Sequence, residues 1–154
     1  MGMRLSARVD YALRAVSELA AAGGTATRPV TSERLATAQA IPPKFLESIL
    51  LQLRRSGIVQ AQRGPEGGYW LARPAGEVTL ADVIRAIDGP LANVRGHRPE
   101  DLGYHGAASS LQEVWIALRA SEREILELVT IADVSGGDLP ERVRTLAADP
   151  RAWA

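Results

Sequence analysis

A lysine and two side chains that can accept hydrogen bonds follow a pair of prolines, at a spacing that places all three on one side of a helix. Glu47 and Ser48 come three and four residues after Lys44, and Pro43 suits the first position of a helix, so the three side chains share one face. Lysine and serine can bind phosphates or base edges, and a carboxylate can accept a hydrogen bond from the cytosine amino group. Taken alone, the pattern fits DNA contact and an ordinary amphipathic helix with a solvated polar side equally well.

A second stretch places an arginine beside a turn rich in glycine and proline. Residues 58–63 and 69–73 are short extended segments on either side of that turn, which predicts a β-hairpin. An arginine on a thin loop, such as Arg63, can enter a narrow minor groove, and Gly64 and Gly67 let the backbone approach another surface closely. The alternative is that the glycines serve only the turn and that Arg63 is simply exposed.

Other chemistry has little support in the sequence. The chain has no cysteine, which excludes disulfides, thiolate metal sites and cysteine-ligated iron–sulfur clusters. His97 and His105 share a loop with Glu100 and Asp101, which allows either a weak divalent metal site or solvated histidines. Zinc-helix and serine-nucleophile motifs are missing from the sequence. We therefore expect no enzyme activity, no bound metal and no cofactor.

The charge of the chain is divided between its two halves. The total is zero, with 18 basic and 18 acidic residues. Residues 1–73 contain ten basic and five acidic residues, and residues 74–154 contain eight and thirteen, so the halves carry +5 and −5. A basic half joined to an acidic one favours DNA binding from one end.

Periodicity and capping signals predict the elements that position these residues. Ser6 and Thr31 are candidate N-caps of two helices, the first of which ends at 23–24, and a third helix spans 43–55. Helix, short helix, turn, helix and hairpin is the order of a winged helix-turn-helix. Arg54, at the end of the third helix, would support the positive field or contact the DNA backbone. The candidate DNA-binding residues are Arg8, Thr31, Pro43, Lys44, Glu47, Ser48, Arg54, Arg63, Gly64 and Gly67.

The second half begins with a fourth helix and a long aperiodic loop. Thr79 and Asp82 form a capping-box pattern, and the helix they open ends at 89–90. Residues 89–109 show no periodicity, and a loop of that length is either functional or disordered. A small molecule or a protein effector could act there, with His97 and His105 as candidate contacts.

A long helix, opened by a Ser110–Glu113 capping box, is predicted over 110–132. Its apolar residues form a heptad stripe that suits a partner helix, although three repeats are too few for a clear coiled coil. The candidate dimerisation residues are Leu111, Trp115, Leu118, Ile125 and Leu128, with Ala132 as a possible fourth heptad position. A short helix near 141–147 and a frayed tail at 149–154 complete the chain.

These elements divide the chain into two parts. Residues 1–75 are the predicted winged helix-turn-helix DNA-binding domain. Residues 76–154 hold the fourth helix, a sensor-like loop at 89–109, the dimerisation helix and the C-terminal tail. The predicted fold is thus mainly α with a small β-hairpin wing.

Several segments resemble the Rrf2 family of bacterial winged-helix transcription regulators, of the IscR, NsrR and CymR type. The matching segments, in the family's order, are 3–6, 11–13, 41–47, 53–59, 63–69 and 79–90. The most specific is 63–69, Arg-Gly-Pro-Glu-Gly-Gly-Tyr. The resemblance implies a homodimer joined by its long C-terminal helix that binds a palindromic operator and usually represses. It also implies that Arg63 enters the minor groove and that Glu47 recognises bases.

The chain departs from the family at the cluster ligands. Several members hold an iron–sulfur cluster through three cysteines in the loop after the fourth helix. Gly96 stands where the first of these would be, and 97–110 contain no cysteine. The resemblance therefore carries over the fold and DNA binding, but not the cluster.

The sequence predicts a cytoplasmic, homodimeric DNA-binding regulator, most simply a repressor, that responds to a signal other than an iron–sulfur cluster. No apolar run approaches the ~18 residues of a membrane span, so no membrane partner is expected. The alternative is a winged-helix module that binds a protein and no longer recognises DNA. Salt dependence separates the two, because DNA binding through several basic contacts weakens steeply as salt rises.

Overall fold

The described part of the chain is mainly helical and contains one β-hairpin. A computed structural model of the protein describes residues 5–91 and 93–153. Met3 and Arg4 of the first matched segment, Ala92 of the predicted loop and Ala154 of the predicted tail lie outside the described residues. In chain order the elements are α1 (Ala7–Ala22), α2 (Ser32–Gln39), α3 (Pro43–Arg55), β1 (Val59–Gln62), β2 (Gly68–Leu71), α4 (Leu80–Asp88), α5 (Leu111–Leu126), α6 (Ile131–Gly136) and α7 (Glu141–Ala148). Across these ranges, no helix is both long and apolar enough to cross a membrane.

Helix α1 is the centre of the core. Ser6 caps it by accepting a hydrogen bond from Val9 N at 3.1 Å, and Gly23 ends it in the left-handed conformation, as predicted. Val9, Val16 and Leu19 are fully buried at helical spacing, and the helix packs against α2, α3, α4, α6 and β2. One core therefore joins residues on both sides of position 75, and the division at that position stays a prediction about function.

The turn between α2 and α3 sets the direction of α3. The Thr31 hydroxyl accepts from Arg34 N at 3.2 Å and caps α2, and Ala40 ends that helix with φ 52°. Ile41 is buried, and Pro43 occupies the first turn of α3. The predicted boundaries of the third helix, 43–55, are confirmed.

The hairpin is tied to the segment before α2. β1 and β2 are antiparallel, with Val59 opposite Leu71 and Gln62 opposite Gly68. Val30 and Tyr69 exchange two backbone hydrogen bonds, of 2.9 and 2.8 Å, so the hairpin is anchored to the helix-turn-helix. The predicted hairpin is confirmed.

The predicted helix over 110–132 is wrong at its C-terminal end. α5 ends at Leu126, and Ala132 lies on the separate helix α6, outside any heptad of α5. Thr130 and Asp133 form a capping box that starts α6. The residues before that helix pair with the start of α4: Thr130 forms a β-bridge with Thr79, and Leu80 N donates to Val129 O at 3.0 Å. The Thr-Ile-Ala-Asp pattern at 130–133 repeats the Thr-Leu-Ala-Asp box at 79–82, and it starts a new helix.

The predicted capping box at the start of α5 is also wrong. Ser110 is helical, with φ −73° and ψ −10°, and its side chain makes no capping bond. Short 3-10 turns at Pro99–Asp101 and Gly106–Ala108 precede α5, and the second turn leads directly into it, so the backbone never takes the extended conformation that an N-cap needs. The tail differs as well: residues Pro150–Trp153 form a 3-10 turn, in which Trp153 Nε1 donates to Ala147 O at 2.9 Å.

Candidate nucleic-acid interface

Helix α3 has a buried face and a free face. Its apolar face is fully buried and consists of Leu46, Ile49, Leu50 and Leu53. Lys44, Glu47 and Ser48 are exposed on the other side, together with Leu51. The predicted helix-turn-helix therefore leaves the N-terminal half of α3 open to a partner.

The first turn of α3 is prepared for an anion. Pro42 precedes the helix and provides no side-chain cap, so the leading N–H groups keep their capacity to bind a phosphate oxygen. Among the described residues, neither Lys44 nor Glu47 makes a side-chain hydrogen bond or an ion pair, so both remain available to DNA. Arg54 and Arg55 are exposed in the last turn and add positive charge along the same helix.

Arg8 binds α3 and is not free. Its guanidinium donates to Ser48 Oγ at 3.2 Å and to Gln52 Oε1 at 2.7 Å, across 40 and 44 residues of sequence. The structure thus brings two predicted DNA-binding residues, Arg8 and Ser48, into contact. Arg8 both fixes α3 against α1 and adds positive charge beside Ser48.

Close backbone contacts shape the wing turn. Gly67 N donates to Gly64 O at 2.9 Å, and Gly64 has φ +107°. A Cβ on Gly67 would lie 2.1 Å from Gln62 O, so only glycine fits there. Arg63 is exposed beside this turn and, within the described part of the chain, has no side-chain partner. The turn therefore requires Gly64 and Gly67, and it places Arg63 on the protein surface.

The free face of α3 also carries an aromatic side chain that is not among the predicted site residues. Phe45 is 53% exposed, and its ring centroid lies 6.3 Å from that of Tyr11. The Arg14 guanidinium lies over the Tyr11 ring, 4.8 Å from its centroid. The signal was present, because Phe45 falls outside the apolar stripe of its helix, and a phenylalanine there can contact a thymine methyl group.

Thr31 and the two histidines lie on the protein surface. Thr31 is exposed at the start of α2, where its hydroxyl is engaged as the N-cap. His97 and His105 are exposed, and His97 pairs through its backbone with Val94. Over residues 5–91 and 93–153, no group of three histidine, aspartate or glutamate side chains could hold a metal ion.

One face of α5 is apolar and exposed. Leu111, Val114 and Leu118 are 39%, 52% and 40% exposed, and Ile125 continues the same face half-buried. An adjacent side of the helix is occupied, because Leu126, about 80° around the axis from Leu118, is buried. Of the other predicted dimerisation residues, Trp115 donates from Nε1 to the Tyr104 hydroxyl at 3.0 Å, and Leu128 is exposed beyond the helix end.

These features define a winged helix-turn-helix protein with an outward-facing third helix and an arginine-bearing wing. The Rrf2 family, described as "Iron-dependent Transcriptional regulator", matches residues 5–136. An HTH-type transcriptional regulator of Mycobacterium tuberculosis is 54% identical over 151 residues, which cover 97% of this chain and 92% of that protein. The chain belongs to the Rrf2 family of HTH-type transcriptional regulators, as the sequence resemblance predicted.

Solved structures of the family have the same fold. The structure of CymR, the global cysteine regulator of Bacillus subtilis, matches with a TM-score of 0.68 and 25% identity, covering 88% of this chain and 98% of that one. The structure of IscR from T. potens matches with a TM-score of 0.69 and 26% identity, covering 100% and 98%. The predicted winged-helix fold class is confirmed, and the relatives are transcriptional regulators, not enzymes.

The side chains of this protein do not fit an iron–sulfur cluster. A cluster needs thiolate ligands, and the chain has no cysteine. His97 and His105 are the only histidines, and neither belongs to a potential metal-binding group of the described residues. We assign no step of its function to a cluster.

Proposed function

We propose that this protein is a cytoplasmic repressor that binds a palindromic operator as a homodimer. The observation that carries the proposal is the free N-terminal half of α3, with Lys44 and Glu47 unpaired among the described residues and Arg63 on the adjoining wing. A helix of this width fits the major groove, and an exposed arginine on a thin hairpin fits the minor groove. Glu47 would then select bases, whereas Lys44 and Arg63 would supply affinity.

The apolar face of α5 supports the dimer. Leu111, Val114 and Leu118 form an apolar stripe, and the other described residues leave each of these side chains at least 39% exposed. A second copy of the same helix would bury both stripes and relate two α3 helices by a two-fold axis. That symmetry is the reason to expect a palindrome.

A protein-interaction module remains the alternative function. The net charge of zero gives no general attraction to DNA. Phe45 and Leu51 place apolar surface on the free face of α3, 53% and 45% exposed, which would also suit a protein partner.

Selection of bound sequences from a random duplex pool decides between these functions. The proposal predicts that the wild-type protein enriches one palindromic sequence and that binding weakens steeply as salt rises. A pool that stays random after several rounds, with no binding tighter than to bulk duplex DNA, would support the protein-interaction module.

A further inference from the structure

Four arginine side chains from three elements converge on one cleft. It has a volume of about 600 Å³ and lies between the end of α4, the loop after it and α5. The arginines are Arg85, Arg98, Arg119 and Arg123. None of the ten predicted DNA-binding residues lines it, so it is separate from the α3 and wing surface.

Two of the arginines share a single carboxylate. Arg85 and Arg123 both donate to Glu127 Oε1, the latter from Nε at 3.1 Å. The Arg85 hydrogen bond, aided by Arg123, lowers the pKa of Glu127 below its usual range. Two guanidinium groups therefore face one negative charge on this side of the cleft.

The other two arginines involve the loop, since Arg98 is part of it and Arg119 reaches it from α5. Arg119 donates from Nη1 to Glu100, and Arg98 Nε lies 3.9 Å from the same carboxylate and 3.1 Å from Asp101. Asp101 does not line the cleft. Counting Asp101, four guanidinium groups are balanced by three carboxylates, which leaves one excess positive charge.

The cleft also has many unused hydrogen-bond donors. Among the described residues, Arg85, Arg119 and Arg123 each make one side-chain hydrogen bond, although a guanidinium carries five N–H groups. Planar guanidinium groups match the paired oxygens of carboxylates and phosphates. A ligand with two acidic groups could engage both sides of the cleft, whereas a ligand with one could not.

Helix α4 connects this cleft to the DNA-binding surface. Arg85 is on α4, and the next two residues present their carbonyls to α3: Gln52 Nε2 donates to Ala86 O at 3.1 Å and to Ile87 O at 2.9 Å. Gln52 also accepts the 2.7 Å hydrogen bond from Arg8. A shift of α4 relative to α5 would therefore be transmitted directly to α3.

We propose that this cleft is an effector site for a small anion with two or more acidic groups, and that its occupancy changes operator affinity. The second part rests on the proposed function as a DNA-binding regulator. The bound anion would bring the guanidinium groups of α4 and α5 closer together and would alter the contact of α4 with α3.

Calorimetric titration of the whole protein tests the site itself. Citrate and pyrophosphate are the probes, with acetate as a singly charged control, all at an ionic strength matched with chloride. We expect saturable binding of citrate or pyrophosphate with a dissociation constant of about 1 mM or tighter, and none of acetate. Citrate alone would indicate a carboxylate effector, and pyrophosphate alone a phosphorylated one. Absence of saturable binding by both up to about 10 mM would overturn the proposal.

Matched variants locate the binding. Arg119→Gln and Arg123→Gln should each weaken binding at least about tenfold, because each removes a charge-assisted hydrogen bond. Arg123 is half exposed and, among the described residues, its side chain pairs with Glu127 and not with the loop, so its replacement removes no hydrogen bond that holds the loop. Arg142→Gln is the control, because Arg142 pairs with Glu124 at 3.1 Å outside the cleft. This variant should bind the anion as the wild-type protein does. Equal binding by all three variants would place the anion elsewhere and overturn the site.

Operator binding tests the second part separately. With an operator obtained by selection, a saturating probe should change wild-type affinity by at least about fivefold and should not change that of Arg123→Gln. Unchanged wild-type affinity would overturn the effector role. Anion binding by a protein that selects no DNA would contradict the proposed repressor function and leave the anion site standing.

Discussion

Replacing Leu118 by glutamate should weaken the proposed dimer by at least about tenfold. Leu118 is 40% exposed on the apolar face of α5. Fully burying a leucine contributes about 1.5–3 kcal/mol, so covering that fraction contributes about 0.6–1.2 kcal/mol per protomer. Two copies in a symmetric interface give about 1.2–2.4 kcal/mol, or a roughly 8- to 60-fold weaker dimer. A buried glutamate adds a desolvation cost, so this is a lower bound.

Sedimentation across a dilution series measures the effect. Ala120→Glu is the matched control, because Ala120 is exposed on the same helix about 160° around the axis from Leu118. It introduces the same charge away from the stripe and should dimerise as wild type. Equal dissociation constants for wild type, Leu118→Glu and Ala120→Glu would refute the assignment of this face as the interface.

Three further outcomes follow from the described contacts. Arg63→Ala should weaken operator binding and reduce the slope of log affinity against log salt by about 1.8 for a dimer, since one phosphate-neutralising charge is lost per protomer; an unchanged slope in a salt titration would argue against DNA contact by the wing. Gly67→Ala would place a Cβ 2.1 Å from a backbone oxygen and should cost about 1–3 kcal/mol of stability in thermal melts, whereas Gly76→Ala, with nothing within 4 Å, should stay within about 0.5 kcal/mol of wild type. Gln112→Ala removes an amide that donates to three loop carbonyls between 99 and 102, the shortest bond being 2.7 Å, so hydrogen exchange there should accelerate, and equal protection would show that the loop is held by other contacts.

Local signals made most of the fold predictable. At Ser6, Thr31 and Thr79, the side-chain hydroxyl caps a helix by accepting a hydrogen bond from the backbone N–H three residues later. Sequence spacing therefore reveals these caps directly. The buried stripe of α3 and the glycine turn of the wing are likewise local patterns. The C-terminal end of α5 is also predictable from a local pattern, because the Thr130–Asp133 capping box marks the start of a new helix.

Contacts between distant residues limited the prediction of the sites. Ser110 has the residue type of an N-cap, but the 3-10 turn before it puts its backbone in a helical conformation, which overrides the local signal. Arg8 contacts Ser48 across 40 residues, and no spacing rule anticipates that pairing. The arginine cleft is assembled from a helix, a loop and a second helix, so its charge excess emerges only in the folded chain.

The central claim is that Glu47 on the free face of α3 selects bases in a DNA groove, and one measurement tests it most directly. Glu47→Ala and the wild-type protein would be taken through the same random duplex selection, and the preferences at each position compared. We expect the variant still to enrich a palindrome but to lose about 1–3 kcal/mol of discrimination between bases at one symmetric pair of positions. Identical preferences at every position would contradict the claim.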